Sequence, residues 1–121
     1  MKDRKQILFI DDEPIIRDWF QDLAPLISDV LVTIEGDSQK AVDIIRHEKI
    51  DLVITDLNMP FMSGLEILEE VKKKDPDLPV ILFTGSLEND VEQRALDAGI
   101  SEIITKPAEL SRFIQTIKNY V

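Results

Sequence analysis

At 121 residues the chain is long enough to bury a sizeable core and short enough to form one domain, residues 1-121. Its 14 basic and 24 acidic side chains leave a net charge of −10, which argues against nucleic acid or an anionic membrane as a direct ligand, since both need a basic surface. The absence of cysteine excludes disulfides and thiolate sites, and no apolar run is long enough for a signal peptide core or a bilayer span, so a cytoplasmic location is expected.

After the charged opening from Met1 to Gln6, Ile7-Leu8-Phe9-Ile10 is a continuous apolar run, the pattern of a strand covered on both faces. It closes on Asp11-Asp12-Glu13. Pro14 suits the first position of a helix whose apolar stripe is Ile15, Ile16, Trp19, Phe20 and Leu23, and Pro25 should end or kink it. Val30 to Ile34 reads as a second strand, followed by Gly36-Asp37-Ser38 as turn and helix cap. Ala41, Ile44 and Ile45 then form the inner face of a second helix, which runs out near Glu48. Leu52-Val53-Ile54 is the third strand, ending on Thr55 and Asp56, and Pro60 prevents its continuation because it lacks an N–H. Ser63 and Glu66 have capping-box spacing and open a third helix bearing Leu65, Leu68 and Val71. Lys72-Lys73-Lys74 reads as its solvated last turn, where cations suit the helix dipole.

Asp75-Pro76-Asp77 is a turn, and Pro79 to Phe83 a fourth strand closing on Thr84-Gly85-Ser86. Asn89, with Glu92 three residues on, is the expected cap of a fourth helix carrying Val91, Ala95 and Leu96, with Gly99 as its stop. Ile103 to Thr105 is a short fifth strand closing on Lys106-Pro107, and Leu110, Phe113, Ile114 and Ile117 line a last helix. Five βα units predict an α/β fold, a doubly wound parallel sheet with helices on both faces.

In such a sheet the strand ends share one edge, so Asp11, Asp12, Asp56, Thr84 and Lys106 should meet there. Taken singly, the Asp pair could cap a helix, Thr84 could merely end a strand and Lys106 could be a solvated charge. Their joint placement is what points to chemistry. Three crowded carboxylates repel, so the site needs a cation or must take up protons. Oxygen ligands without His or Cys suit Mg2+, and an Asp beside such a cation and a Lys is equipped as a nucleophile for phosphoryl transfer.

The runs ILFIDDEP, DLVITDLNMPFMSG, VILFTGS and the KP of ITKPAEL resemble the receiver domain of two-component response regulators over essentially the whole chain. The resemblance implies a flavodoxin-like sheet of order 2-1-3-4-5 flanked by five helices. It makes Asp56 the phosphoacceptor, Asp12 a direct Mg2+ ligand and Asp11 one acting through water, with the carbonyl of Asn58 as a further ligand. Thr84 would hydrogen-bond the phosphoryl group and Lys106 pair with it. Pro107 would follow a cis peptide bond, and Gly64 would relax the loop after the site. The implied donor is a phosphohistidine on a histidine kinase or phosphotransfer protein. This chain's own His47 reads as a surface residue. The implied output is a downstream effector or fused domain engaged by the fourth helix, fifth strand and fifth helix, making the domain a self-modifying signalling module rather than a turnover enzyme.

Two positions depart from the family's habit. Ile103 stands where Tyr or Phe is common, and Ala108 where Phe is frequent, so the loop Gly85 to Asn89 is expected to carry most of the switch. Rival phosphate chemistries fit less well. A dehalogenase-type phosphohydrolase wants a second acid where Asn58 stands, and Asp11-Asp12-Glu13 would repel a flavin phosphate. An interaction-only pseudo-receiver would have lost site residues, and all are present.

Overall fold

A computed structural model describes residues 4–121; the charged opening Met1-Lys2-Asp3 lies outside the described residues. The elements alternate along the chain: β1 (Lys5–Ile10), α1 (Pro14–Leu23), β2 (Val30–Glu35), α2 (Ser38–His47), β3 (Leu52–Thr55), α3 (Gly64–Lys74), β4 (Val80–Thr84), α4 (Asn89–Asp97), β5 (Glu102–Thr105) and α5 (Leu110–Lys118). The five strands form one parallel sheet in the order β2-β1-β3-β4-β5. This is the expected doubly wound, flavodoxin-like arrangement.

Period-2 alternation sorts the side chains into two layers. Ile7 and Phe9 of β1 face α1 and α5, in a core with Phe20, Leu23, Ile54, Phe83, Phe113 and Ile117. Leu8 and Ile10 face α2 and α3, among Ala41, Ile45, Val53, Ile67, Leu68, Val71 and Val80. A smaller cluster, Leu57, Leu65, Leu82 and Ala95, seats α4 on that second side. The first layer is aromatic: Phe9 stacks on Phe20 at 4.0 Å between centroids, and Trp19 packs on Phe83 and Phe113 at 5.7 and 5.0 Å. The second layer is aliphatic, with no aromatic side chain among the described residues of its core.

The buried lengths of central strands β1, β3 and β4 are apolar up to the buried Thr55 and Thr84 that end β3 and β4, whereas edge strand β2 alternates between half-buried and exposed residues. Helix starts follow local chemistry. Pro14 opens α1, the Asp37 carboxylate accepts from the Gln39 N–H at 2.9 Å, and Ser63 and Glu66 form the capping box in both directions. Pro25 falls in a short 3-10 turn, Ala24–Leu26, that ends α1, and Gly99 stops α4 at φ +93°.

The structure corrects the reading in four places. Asn89 is the first helical residue of α4, after Glu88 at the cap position, and no side chain among the described residues caps that helix. Ile15, Leu96 and Leu110 share the helical period of their neighbours but are exposed, because their faces lie beyond the reach of the sheet. Lys72 and Lys74 do not simply end α3 in solvent. The Lys72 ammonium donates to the carbonyls of Pro76 and Leu78 at 3.1 and 2.8 Å, while that of Lys74 donates to the carbonyls of Ile45 and Glu48 at the end of α2. Strand limits also shift by a residue or two: β1 begins at Lys5, β2 extends to Glu35, β4 runs from Val80 to Thr84, and β5 starts at Glu102.

Candidate functional site

The sheet's hydrogen bonding runs one residue past the strands and fixes the site residues' backbone. Asp11 N–H donates to the Glu35 carbonyl at 3.1 Å, Asp56 N–H to that of Ile10 at 2.9 Å, and Lys106 N–H to that of Thr84 at 2.8 Å. The adjacent ends of β1, β3, β4 and β5 therefore converge on one edge.

There, Asp11, Asp12 and Asp56 bring one carboxylate oxygen each to within 4.8 Å of one another. Asp11 is fully buried, Asp56 nearly so, and Asp12 half-buried. The Lys106 ammonium answers them, 2.8 Å from Asp11 Oδ2 and 3.6 Å from Asp56 Oδ1. Asp11 Oδ1 accepts from the Glu13 N–H at 3.0 Å, and Asp56 Oδ1 from the Leu57 N–H at 2.8 Å. Asp56 Oδ2 takes no hydrogen bond from the described residues, yet among them no buried side-chain polar atom is left unpartnered, so this oxygen reaches solvent.

Burial is the largest influence on both inner acids and raises their pKa. For Asp11 the hydrogen bond from Lys106 opposes it; for Asp56 the charge of Asp11 adds to it. Burial alone would lower the Lys106 pKa, but its hydrogen bond to Asp11 and the nearby charges of Asp11, Asp56 and Glu13 outweigh that, and the value is raised. The donor set fits a hard divalent cation: three clustered carboxylates, with no histidine or cysteine among them.

The other expected site residues fall into place unevenly. Thr84 is buried at the end of β4, but its hydroxyl is turned into its own loop, donating to the Ser86 carbonyl at 3.1 Å and accepting from the Ser86 N–H at 3.3 Å. Asn58 is exposed in the loop after β3. The Lys106–Pro107 peptide is cis. His47 is exposed, its Nδ1 2.9 Å from the Asp43 carbonyl. Ile103 is half-buried against the small cluster under α4.

Gly64 differs from expectation. It is the first residue of α3, its φ is not positive, and its N–H donates to the Leu57 carbonyl at 2.8 Å. A Cβ there would lie 2.3 Å from the Asp56 carbonyl oxygen. Glycine is needed for close approach, not for looseness.

Sequence reasoning missed three neighbours. Glu13 Oε1 lies 3.5 Å from the Lys106 ammonium, the Phe83 ring lies under that ammonium at 5.2 Å, and the Arg17 guanidinium donates to the Asp11 carbonyl at 2.9 Å. Glu13 stood in the acidic run and could have been included. The other two depend on packing that no local pattern reports.

A family model described as the response regulator receiver domain matches residues 7–118. The response regulator protein VraR of Staphylococcus saprophyticus is 34% identical over 114 residues, covering 93% of this chain and 54% of the relative. The regulatory protein LuxO of Vibrio cholerae is 35% identical over 101 residues, covering 82% of this chain but 21% of its own length. The chain thus spans about half, or less, of these curated relatives. Among solved structures, a response regulator receiver domain protein from Clostridium thermocellum superposes with a TM-score of 0.87 at 33% identity, covering 96% of this chain and 93% of its own. A CheY-like receiver domain protein from Methanospirillum hungatei gives 0.90 at 28%, covering 96% and 92%.

Proposed function

The chain belongs to the response regulator receiver domain family, a signalling family, and from that membership we propose that residues 1-121 form one receiver domain whose phosphoacceptor is Asp56. The observation that carries this reading is the convergence of Asp11, Asp12, Asp56 and Lys106 at one sheet edge.

In the proposed reaction a phosphohistidine on a partner kinase or phosphotransfer protein presents its phosphoryl group to the Asp56 side chain. The solvent-reaching Oδ2 attacks phosphorus while the Leu57 N–H holds Oδ1 and fixes the carboxylate plane. The P–N bond breaks, its electron pair leaves on the partner's imidazole, and an acyl phosphate remains on Asp56. Lys106 turns from Asp11 toward the new phosphoryl oxygens, and the Thr84 hydroxyl leaves Ser86 to bond another. Mg2+, held by Asp11, Asp12, Asp56 and the Asn58 carbonyl, would supply the charge that neutralises the carboxylates and the transferring oxygens. Water later hydrolyses the acyl phosphate, so the domain modifies itself rather than turning over a substrate.

The proposed output is a change in the loop from Gly85 to Asn89 and in the surface of α4, β5 and α5, read by a downstream effector or fused output domain. A cytoplasmic setting accompanies the reading. Among the described residues no helix is long and apolar enough to cross a membrane.

Acetyl phosphate with Mg2+ should add one phosphoryl mass to the intact protein, and Asp56→Asn should abolish that gain. The same gain in the variant would overturn the assignment.

A further inference from the structure

Every polar backbone and side-chain group of Asp11 has a partner, and three of the four are explained by the sheet, the turn and Lys106. The fourth is its carbonyl oxygen, which accepts from Arg17 Nη1 at 2.9 Å. That carbonyl belongs to the peptide joining Asp11 to Asp12, so the guanidinium grips the bond whose orientation decides where the Asp12 side chain points. Arg17 makes no ion pair with a carboxylate among the described residues. Its half-buried head is directed to one backbone atom at the acidic cluster.

A second observation, from another element, points to the same group. Gly36, just after β2, has no positive φ and so does not need to be glycine for its backbone. A Cβ on it would stand 2.5 Å from Arg17 Nη1 and 2.8 Å from Cζ. Glycine at position 36 leaves the space in which the guanidinium lies.

We propose that Arg17 is a positioning residue for the acidic site, holding the Asp11–Asp12 peptide so that both carboxylates converge on Asp56, and that Gly36 is glycine to admit it. The proposal rests on the reading of that cluster as a Mg2+ site. The Mg2+ ion is drawn to Asp11, Asp12 and Asp56, and Arg17 acts on it only through the peptide.

The test is the affinity of the protein for Mg2+ alone, by calorimetric titration of the parent, Arg17→Met, Arg17→Lys and Gly36→Ala. Arg17→Met and Gly36→Ala should each weaken Mg2+ binding ~10-fold or more, the loss typical when a group that orients a metal ligand is removed. Arg17→Lys, which keeps a donor and the charge, should recover part of it. Phosphorylation of Arg17→Met by acetyl phosphate should be slow at low Mg2+ and return to the parent rate when the ion is saturating. A merely structural role would not produce that split. Parent-like Mg2+ affinity in a folded Arg17→Met or Gly36→Ala, judged by a native-like amide spectrum, would overturn the proposal. If Arg17→Met does not fold, Gly36→Ala alone decides it. A parent that binds no Mg2+ would instead overturn the metal reading itself, an outcome distinguishable because it appears before any substitution is made.

Discussion

Asp56 and Asp11 share a buried corner, and for both the protonated form is favoured more in the folded chain than in the unfolded one. The sign of the pH dependence follows. A carboxyl whose folded pKa is raised costs stability at neutral pH, and that cost is lifted as pH falls through the raised value toward the ordinary carboxylate range. Without metal, the urea midpoint should therefore gain from these two groups as pH falls from neutrality toward the ordinary carboxylate range. Repulsion among the other acids changes over the same range, so the informative quantity is the difference from Asp56→Asn, which should flatten the trend. Equal slopes in parent and variant would contradict it. Lys106 does not interfere, since its raised value keeps it charged throughout this range; its contribution is lost only in strong alkali.

At the scale of elements, the junction of β3 with α3 is the tightest seam near the site. Gly64 begins the helix against the backbone of Asp56, where a methyl group would meet a carbonyl oxygen that cannot swing aside. Gly64→Ala should cost about 1–3 kcal/mol, the range for overpacking a filled site, and should weaken Mg2+ binding by shifting Asp56. A parent-like urea midpoint would show that the seam yields. Much of this architecture was legible beforehand. The apolar runs of β1, β3 and β4, the Ser63–Glu66 box, and the Asp11, Asp12, Asp56 and Lys106 edge all declare themselves through local pattern and parallel topology. What was not legible depends on distant neighbours. Periodicity grouped Ile15 with Trp19 but could not show that the covering layer stops short of it. The spacing Asn89–Glu92 imitates a capping box one residue too late. Lys74 looked solvated because its acceptors, the carbonyls ending α2, lie far off in sequence. Arg17 and Phe83 reach the site only through tertiary packing.

For the molecule as a whole, a net charge of −10 with three carboxylates gathered at one edge makes the metal-free fold self-repelling at the proposed site. A cation that binds the native state alone stabilises it by mass action. Chelating Mg2+ should lower the melting temperature of the parent. Asp12→Asn should melt higher than the parent without metal and gain less when Mg2+ is restored. A parent melting temperature that does not respond to Mg2+ would count against the cluster.

The division of the core into an aromatic and an aliphatic layer has a further, optical consequence. Trp19, the single tryptophan, lies on Phe83, the ring beneath Lys106, and four of the five phenylalanines, Phe9, Phe20, Phe83 and Phe113, belong to its side of the sheet. Tryptophan emission therefore watches the α1–α5 face and the lysine beside the acidic edge, while the α2–α3 face is dark to it. Far-ultraviolet dichroism sees both. Matching the two signals through an unfolding transition would reveal whether the bright and dark halves come apart as one cooperative body.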